Sequence, residues 1–318
     1  MVNSRYLVLV FTLLLTAPSC GDETTGPSSA NQVESTLEPL TSGPGLAAGF
    51  PSDVGIDSHA SVIFADDFET GTLEGKWDNL TEPDAMVYMS DAARVFSGSR
   101  SLQVTATAGQ DNGGSATKWF MPGYDRVFAR FCVKFAADMG YVHHFVHIMA
   151  NRADNQWSAF GKAGIRPTGA DFFTTGIEPY GDWGNHPAPG AWHFYTYWPD
   201  MTGAPDGVNF WGNGFGPDTP EVILKDRWYN IEVMVEANEP GSSNGRQAFW
   251  VDGRLVGEFD GIAWRTDPNL KVNAFWLLFY VTGNEAQQNG VEQTPASRAW
   301  FDNVVVAREY IGPVAGAP

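Results

Sequence analysis

Cysteine is nearly absent. Cys20 and Cys132 are the two in 318 residues, too few for a disulfide scaffold or a cysteine-rich zinc site. Basic residues are scarce as well, 19 Lys and Arg against 37 Asp and Glu, for a formal net charge of -18. Such a chain offers no basic face, so a nucleic-acid partner is not expected. Charged residues of both signs make up only 18%, which excludes a coiled coil and an acidic disordered chain. Also missing are an apolar run long enough to span a bilayer, a long amphipathic helical pattern, an internal repeat, a nucleotide or flavin loop and a Ser-His-Asp elbow. What is plentiful is Gly (35), Pro (20) and aromatics (14%). That composition describes a turn-rich, aromatic-rich, acidic and mostly β protein.

Residues 1–20 carry the pattern of a signal peptide: Arg5, then the apolar stretch Tyr6–Leu15, then small residues before Cys20. Cys20-Gly21-Asp22 matches a lipoprotein cleavage site, which would lipidate Cys20; ordinary cleavage after Ser19 is the alternative. Either way the protein is expected to be exported, as a cell-envelope lipoprotein or a secreted protein, with a membrane contact only through lipid on Cys20. Residues 21–60 are rich in Ser, Thr, Pro, Gly and Glu without apolar periodicity and read as a disordered linker. A single domain is expected over 61–313, followed by a tail at 314–318, and the protein is expected to be a monomer. Cys132, inside the strand-like run Val127–Val133, reads as a buried small hydrophobe.

Within the domain, short apolar runs alternate with turn residues. Ser61–Phe64, Ser101–Thr107, Arg126–Phe135, His143–Ala150, Trp192–Tyr197, Trp228–Glu236, Gln247–Val251, Val272–Val281 and Ala299–Ala307 read as strands. Asp252-Gly253 between two such runs marks a tight hairpin. In Trp228–Glu236 the Ile and Val residues face one side, and Glu232 and Glu236 read as solvent-exposed on the other. Many short strands without alternating helices predict an all-β fold, a jelly-roll sandwich of the concanavalin A type.

Three motifs carry a family resemblance. Phe64-Ala65-Asp66-Asp67-Phe68-Glu69 opens the domain, Phe96-Ser97-Gly98-Ser99-Arg100-Ser101-Leu102 follows, and Trp300-Phe301-Asp302-Asn303-Val304 closes it. Together they resemble the jelly-roll proteins typified by the fungal cellulose-induced protein Cip1 and the glucuronan lyases, a polysaccharide lyase group. The resemblance spans about Val62–Gly312, loosely in the middle. It implies a structural Ca²⁺ held by Glu69, Ser97, Arg100 and Asp302, with Arg100 contributing its backbone carbonyl. The alternative is that Glu69 and Asp302 bond to turn amides.

The run Tyr141–Met149 places three of the six histidines within five positions. As a plain strand it would put His143, Phe145, His147 and Met149 on one face and His144, Val146 and Ile148 on the other. No carboxylate or cysteine stands at zinc-ligand spacing to them. Phe160–Arg166 also reads as a strand, with Lys162 and Arg166 on one face; local carboxylates such as Asp171 or Glu178 are their alternative partners. The resemblance sets His143 on the family's groove histidine, Lys162 and Arg166 near an Arg and a Gln, and Tyr280 near a groove tyrosine. Those types suit β-elimination on a uronic-acid polysaccharide. Lys162 and Arg166 would neutralise the carboxylate, while His143 or His147 and Tyr280 would exchange protons at C5 and O4. Glycoside hydrolysis needs two opposed carboxylates, for which Glu178 and Asp182 are the best pair. The segment Phe172–Gly216 reads as an aromatic-rich loop, in which Trp183, Trp211 and Tyr195 are the sugar-contact candidates. Two functions therefore stand: a polysaccharide lyase, and a non-catalytic carbohydrate-binding lipoprotein with the same groove.

Overall fold

The computed structural model describes residues 38–107, 109–294 and 296–316. The expected signal peptide, the lipidation at Cys20 and the first part of the linker lie outside the described residues. Two antiparallel sheets of eight strands face each other, which is the jelly-roll sandwich expected. The first sheet runs in the order Arg254–Ile262, Gly245–Val251, Trp228–Glu236, Arg126–Phe135, Ala296–Ala307, Ser101–Thr107 and Met86–Met89, with Val62–Asp66 also paired to Ala296–Ala307. The second runs Asn213–Phe215, Ala191–Tyr197, Phe172–Tyr180, Val146–Asn151, Lys271–Val281, Asn112–Tyr124 and Asn79–Thr81, with Glu221–Val222 on Ala191–Tyr197. Between them lies a core built from alternate residues of each sheet. Phe131, Val133, Ile231, Val233, Phe249 and Phe301 meet Val146, Ile148, Ile177, Phe194, Phe275 and Phe279 there, all within 2% of full burial. At the Asp252-Gly253 turn both residues take positive φ (52° and 78°), the geometry that joins right-twisted strands in two residues.

Four expectations change. Residues 38–60 are not a free linker: the segment packs on the outer face of the first sheet, laying Ala47 and Ile56 over Phe128, Met234 and Trp250. Its apolar residues escape periodicity because it runs as 3-10 turns, Leu46–Gly49, Pro51–Asp53 and Ile56–Ser58. Trp250 Nε1 donates to the Thr41 carbonyl (2.8 Å), and Arg130 meets Asp53 at 2.7 Å with both side chains buried. The folded part also reaches past 313, since Val314 packs with Phe96 and the buried Cys132. Glu232 is not exposed. It lies at 2% exposure beneath the C-terminal segment and accepts from the amides of Ile311 (2.7 Å) and Gly312 (2.8 Å). Glu236 is partly buried and pairs with Arg246 at 2.6 Å.

The fourth concerns two strands absent from the sequence reading. Phe172–Tyr180 is a strand, not a loop, although it holds Gly176 and Pro179. Its pairing with Val146–Asn151 ends at Val146 opposite Ile177, so the N–H that Pro179 lacks costs no bond on that side. Asn112–Tyr124 likewise contains Gly113, Gly114 and Pro122, and its burial on both faces erases the alternation.

The Glu232 latch yields a stability prediction. Glu232→Ala leaves two buried amides without acceptors and should cost about 3 kcal/mol in chemical denaturation, with loss of exchange protection at Ile311 and Gly312. A change below about 0.5 kcal/mol would mean that Glu232 behaves as an ordinary surface residue.

Candidate active site

The outer face of the second sheet takes the residues that alternate with the core. Met149, Phe172, Tyr197, Trp119 and Ala274 form one apolar cluster there, together with Ala159 and Met201 from connecting segments. Beside it opens a cavity of about 930 Å³, whose walls include His143, His144, Glu178, His193, Tyr195 and Glu285. Four histidines line it, His143, His144, His186 and His193, and His147 lies against its floor through Glu178.

The strand pattern expected for Tyr141–Met149 is broken by a β-bulge. The amides of His143 and His144 both donate to the Tyr280 carbonyl (2.9 and 3.1 Å), so two residues oppose one. Phe145 and Val146 then both turn into the core. The pairing also slips between His144 opposite Tyr280 and His147 opposite Trp276, so with Phe145 and Val146 both inward His144 stands on the side of His147. Glu178, on the adjacent strand, receives both rings: His144 Nδ1 stands 2.9 Å and His147 Nε2 3.1 Å from Glu178 Oε1, and the Phe145 amide is 3.4 Å away. Gly176 makes room for this. A Cβ there would sit 2.7 Å from His147 Nε2 and 3.0 Å from Glu178 Oε1.

The charges follow from this geometry. Burial pushes the Glu178 carboxyl up, but the two imidazoles overcome it and hold the group far below the usual carboxylate range. Glu178 is therefore ionised. For His144, burial pushes the pKa down, and the charge and hydrogen bond of Glu178 outweigh it, leaving the ring above its ordinary value. An ionised carboxylate accepts from Nδ1–H, so the neutral His144 ring carries its proton there and keeps Nε2 bare, without a hydrogen-bond partner among the described residues. His147 Nδ1 is 3.1 Å from Thr174 Oγ1, which completes that ring. His193 is pushed down to about 4, mainly by burial, and is neutral.

The tyrosines frame His144. The Tyr195 ring lies 5.4 Å from it and the Tyr280 ring 6.3 Å, the latter stacked at 17°. Both phenols are raised by burial and stay protonated. His143 turns its Nδ1 to Glu285 Oε2 at 3.4 Å. Glu285 is placed by the short helix Gly283–Gln288, capped by the Thr282 hydroxyl. Trp183 (69% exposed), Trp211 (48%) and Tyr195 stand on the cavity wall.

Lys162 and Arg166 are elsewhere. Phe160–Arg166 forms turns and not a strand. Lys162 Nζ lies over the Phe172 ring at 5.8 Å, and Arg166 binds the Pro199 carbonyl and faces Asp200 at 3.9 Å, so neither lines the cavity. Neither Asp171 nor Glu178 is their partner. Asp182 lines the cavity, but Glu178 cannot serve as the protonated acid of a hydrolase while it is held ionised by two rings. Sequence reasoning passed over His144 because breaks in the strand pairing are invisible in an alternation count, and it named Glu178 but not its pairing with the histidines, which lie 31 and 34 residues away.

Among the described residues, His144, His147 and Glu178 are the one group of three His, Cys, Asp or Glu able to share a metal ion, their donor atoms lying within 4.8 Å of one another. Each is also satisfied by the others through hydrogen bonds. At the expected calcium position, Glu69 accepts from the amides of Ser99 and Arg100 (2.8 Å each). Asp302, fully buried, accepts from Phe96 (2.9 Å), Ser97 (3.2 Å) and Asn303 (2.9 Å). The turn-amide bonds are thus made, yet the donors on Asp302 are all neutral. Burial pushes its carboxyl up to about 8, and the charge of Glu69 adds to this. Carboxylate oxygens such as those of Glu69 and Asp302 are of the ligand type a hard cation takes.

No protein-family model matches the chain, and no curated protein matches it in sequence. Solved structures match its fold. A marine alginate lyase from Aplysia kurodai superposes with a TM-score of 0.60 at 13% identity, over 78% of this chain and all of that one. An endo-β-1,4-glucuronan lyase from Trichoderma reesei gives 0.50 at 20% identity, over 78% and 95%. A variant of an alginate lyase in complex with an alginate tetrasaccharide gives 0.52 at 17%, over 79% and 94%. The chain therefore shares the jelly-roll fold of these structures, the fold that its end motifs lead one to expect.

Replacing Glu178 by Gln should lower the His144 pKa in an NMR titration, because the charge that raises it is gone. Gly176→Ala should disturb the His144 and His147 resonances while the far-ultraviolet spectrum stays unchanged. An unmoved His144 titration in Glu178→Gln would show that the two groups do not share a proton.

Proposed function

We propose that the protein is an exported polysaccharide lyase that cuts a uronic-acid-containing glycan by β-elimination. The observation that carries this reading is the Glu178–His144 pair, which keeps a bare imidazole nitrogen on a histidine of the cavity wall, with Tyr195 on the same wall and the Tyr280 ring stacked against His144 from outside it. His144 Nε2 takes the proton from C5, Glu178 stabilises the imidazolium that results, and a tyrosine hydroxyl gives a proton to O4 as the C4–O4 bond breaks. Tyr280 and Tyr195 are the two candidates for that donor. His147 acts through Glu178, as a positioning residue. Trp183 and Trp211 offer exposed aromatic faces for sugar rings. That these fold neighbours are lyases supports the class, as does the alginate tetrasaccharide bound by one of them. Export by a signal peptide, with lipid on Cys20 as anchor, suits an enzyme whose polymer cannot enter the cell.

Elimination creates a conjugated C=C, so activity is read as rising ultraviolet absorbance on polyuronates. His144→Ala should lower the rate by about 10²- to 10⁴-fold. Activity should rise with pH through a pKa above the ordinary histidine value, because the base must be unprotonated, and Glu178→Gln should move that inflection to lower pH. Tyr280→Phe and Tyr195→Phe identify the acid. A flat trace with retained binding to a polysaccharide would make the protein a carbohydrate-binding lipoprotein, a reading favoured by the exposed Trp183 and Trp211.

Calcium is proposed as a structural ion, with Glu69 and Asp302 supplying carboxylates and Ser97 and Arg100 backbone carbonyls. Saturating Ca²⁺ should raise the melting temperature, by about 2.7 kcal/mol of added stability at a hundred times Kd. Asp302→Asn should abolish the increment; an equal rise in that variant would rule the site out.

A further inference from the structure

Removal of the C5 proton of a uronate residue drives electron density onto the neighbouring carboxyl group. An ionised carboxylate accepts that density poorly unless a cation rests on it, whereas an ester carbonyl, neutral at the outset, accepts it readily. The cavity wall holds three carboxylates, Glu178, Asp182 and Glu285, and no lysine or arginine among the described residues; its amides Asn284, Gln288 and Asn289 bring hydrogen bonds but no charge, and Asn289 is already bonded to Gly184 and Glu285. The two cations expected to serve are engaged elsewhere, Lys162 over Phe172 and Arg166 with Pro199 and Asp200. The residues outside the described part contain a single basic residue, Arg5, and the whole chain carries -18. A polyanion would enter this cavity against its own charge. An uncharged chain would meet Trp183, Trp211 and Tyr195 without that penalty.

We infer that the site takes uronate residues whose carboxyl group is esterified, so that the polymer is neutral where it is cut. The inference rests on the lyase reading and names its substrate. The step balances without a co-reactant. The C5 proton passes to His144 Nε2, and the C–H electron pair forms the C4–C5 double bond by way of the ester enolate. The C4–O4 bond then breaks, and O4 takes a proton from a tyrosine hydroxyl. The product is a 4,5-unsaturated uronate ester and a new chain end, and transfer of the proton from His144 to the tyrosine restores the enzyme.

The test uses one glucuronan and one alginate, each as the free acid and as its methyl ester, with the full-length protein. The rate of absorbance rise on an ester should exceed that on the matching acid by about tenfold or more at low salt. The gap should narrow at high salt, as screening removes the acid's handicap. Asn284→Lys places a cation on the exposed helix at the cavity wall and should shift the ratio toward the acid. Equal or faster cleavage of the free acids would overturn the inference and leave the lyase intact. Absorbance from neither form would remove the lyase reading and the inference with it. The His144→Ala variant separates charge preference from turnover: stronger retention on immobilised ester than on immobilised acid is expected, and the reverse order contradicts it.

Discussion

A buried carboxylate held between two imidazoles organises the site. Glu178 is 4% exposed, and an ionised group so placed is costly unless its lone pairs are taken up. His144 and His147 take them, and several local departures from regular structure allow it. The bulge at His143 and His144 turns the right ring inward, Gly176 leaves the space that a methyl group would fill, and Thr174 closes the far side of His147. Losing one partner of such a group leaves a charge uncompensated, a change that typically costs about 3–5 kcal/mol. The same contacts that make the carboxylate tolerable also decide which nitrogen of His144 is free.

The rest of the sandwich explains why this chemistry sits where it does. One face of each sheet is consumed by the shared core. The outer face of the first sheet is covered by residues 38–60 and by the C-terminal segment, latched through Glu232, Asp53 and Arg130. Part of the outer face of the second is covered by loops carrying Ala159 and Met201. What stays open is the end where the bulge, the Trp183 turn and the Gly283–Gln288 helix meet, and that is where the histidines gather.

Much of the fold was legible in the sequence because half-buried strands alternate. All nine expected runs, among them Ser101–Thr107, Arg126–Phe135 and Trp228–Glu236, coincide with observed strands or miss them by at most three residues at an end. Asn112–Tyr124 and Phe172–Tyr180 were illegible because Gly and Pro interrupt apolar runs that also lack alternation, whereas Arg126–Phe135, buried on both faces as well, contains neither residue. Glu232 was misread for a related reason: alternation shows which face a residue takes, but not whether a distant segment covers that face. For the site, the histidine cluster and the exposed Trp183 and Trp211 were visible. The partner that gives the histidines their chemistry was not, because Glu178 reaches them across a strand pair. The cations were misplaced because a strand was assumed where the chain makes turns.

The proposed chemistry depends on the proton of one ring. Nitrogen-15 NMR of the histidine side chains in the intact protein, above the His144 pKa, reads the tautomer directly. Glu178 as acceptor predicts an Nδ1–H tautomer for His144, with a bare, pyridine-type Nε2. An Nε2–H tautomer with a pyridine-type Nδ1 would mean that Glu178 does not hold the proton, and His144 would lose its claim to be the base.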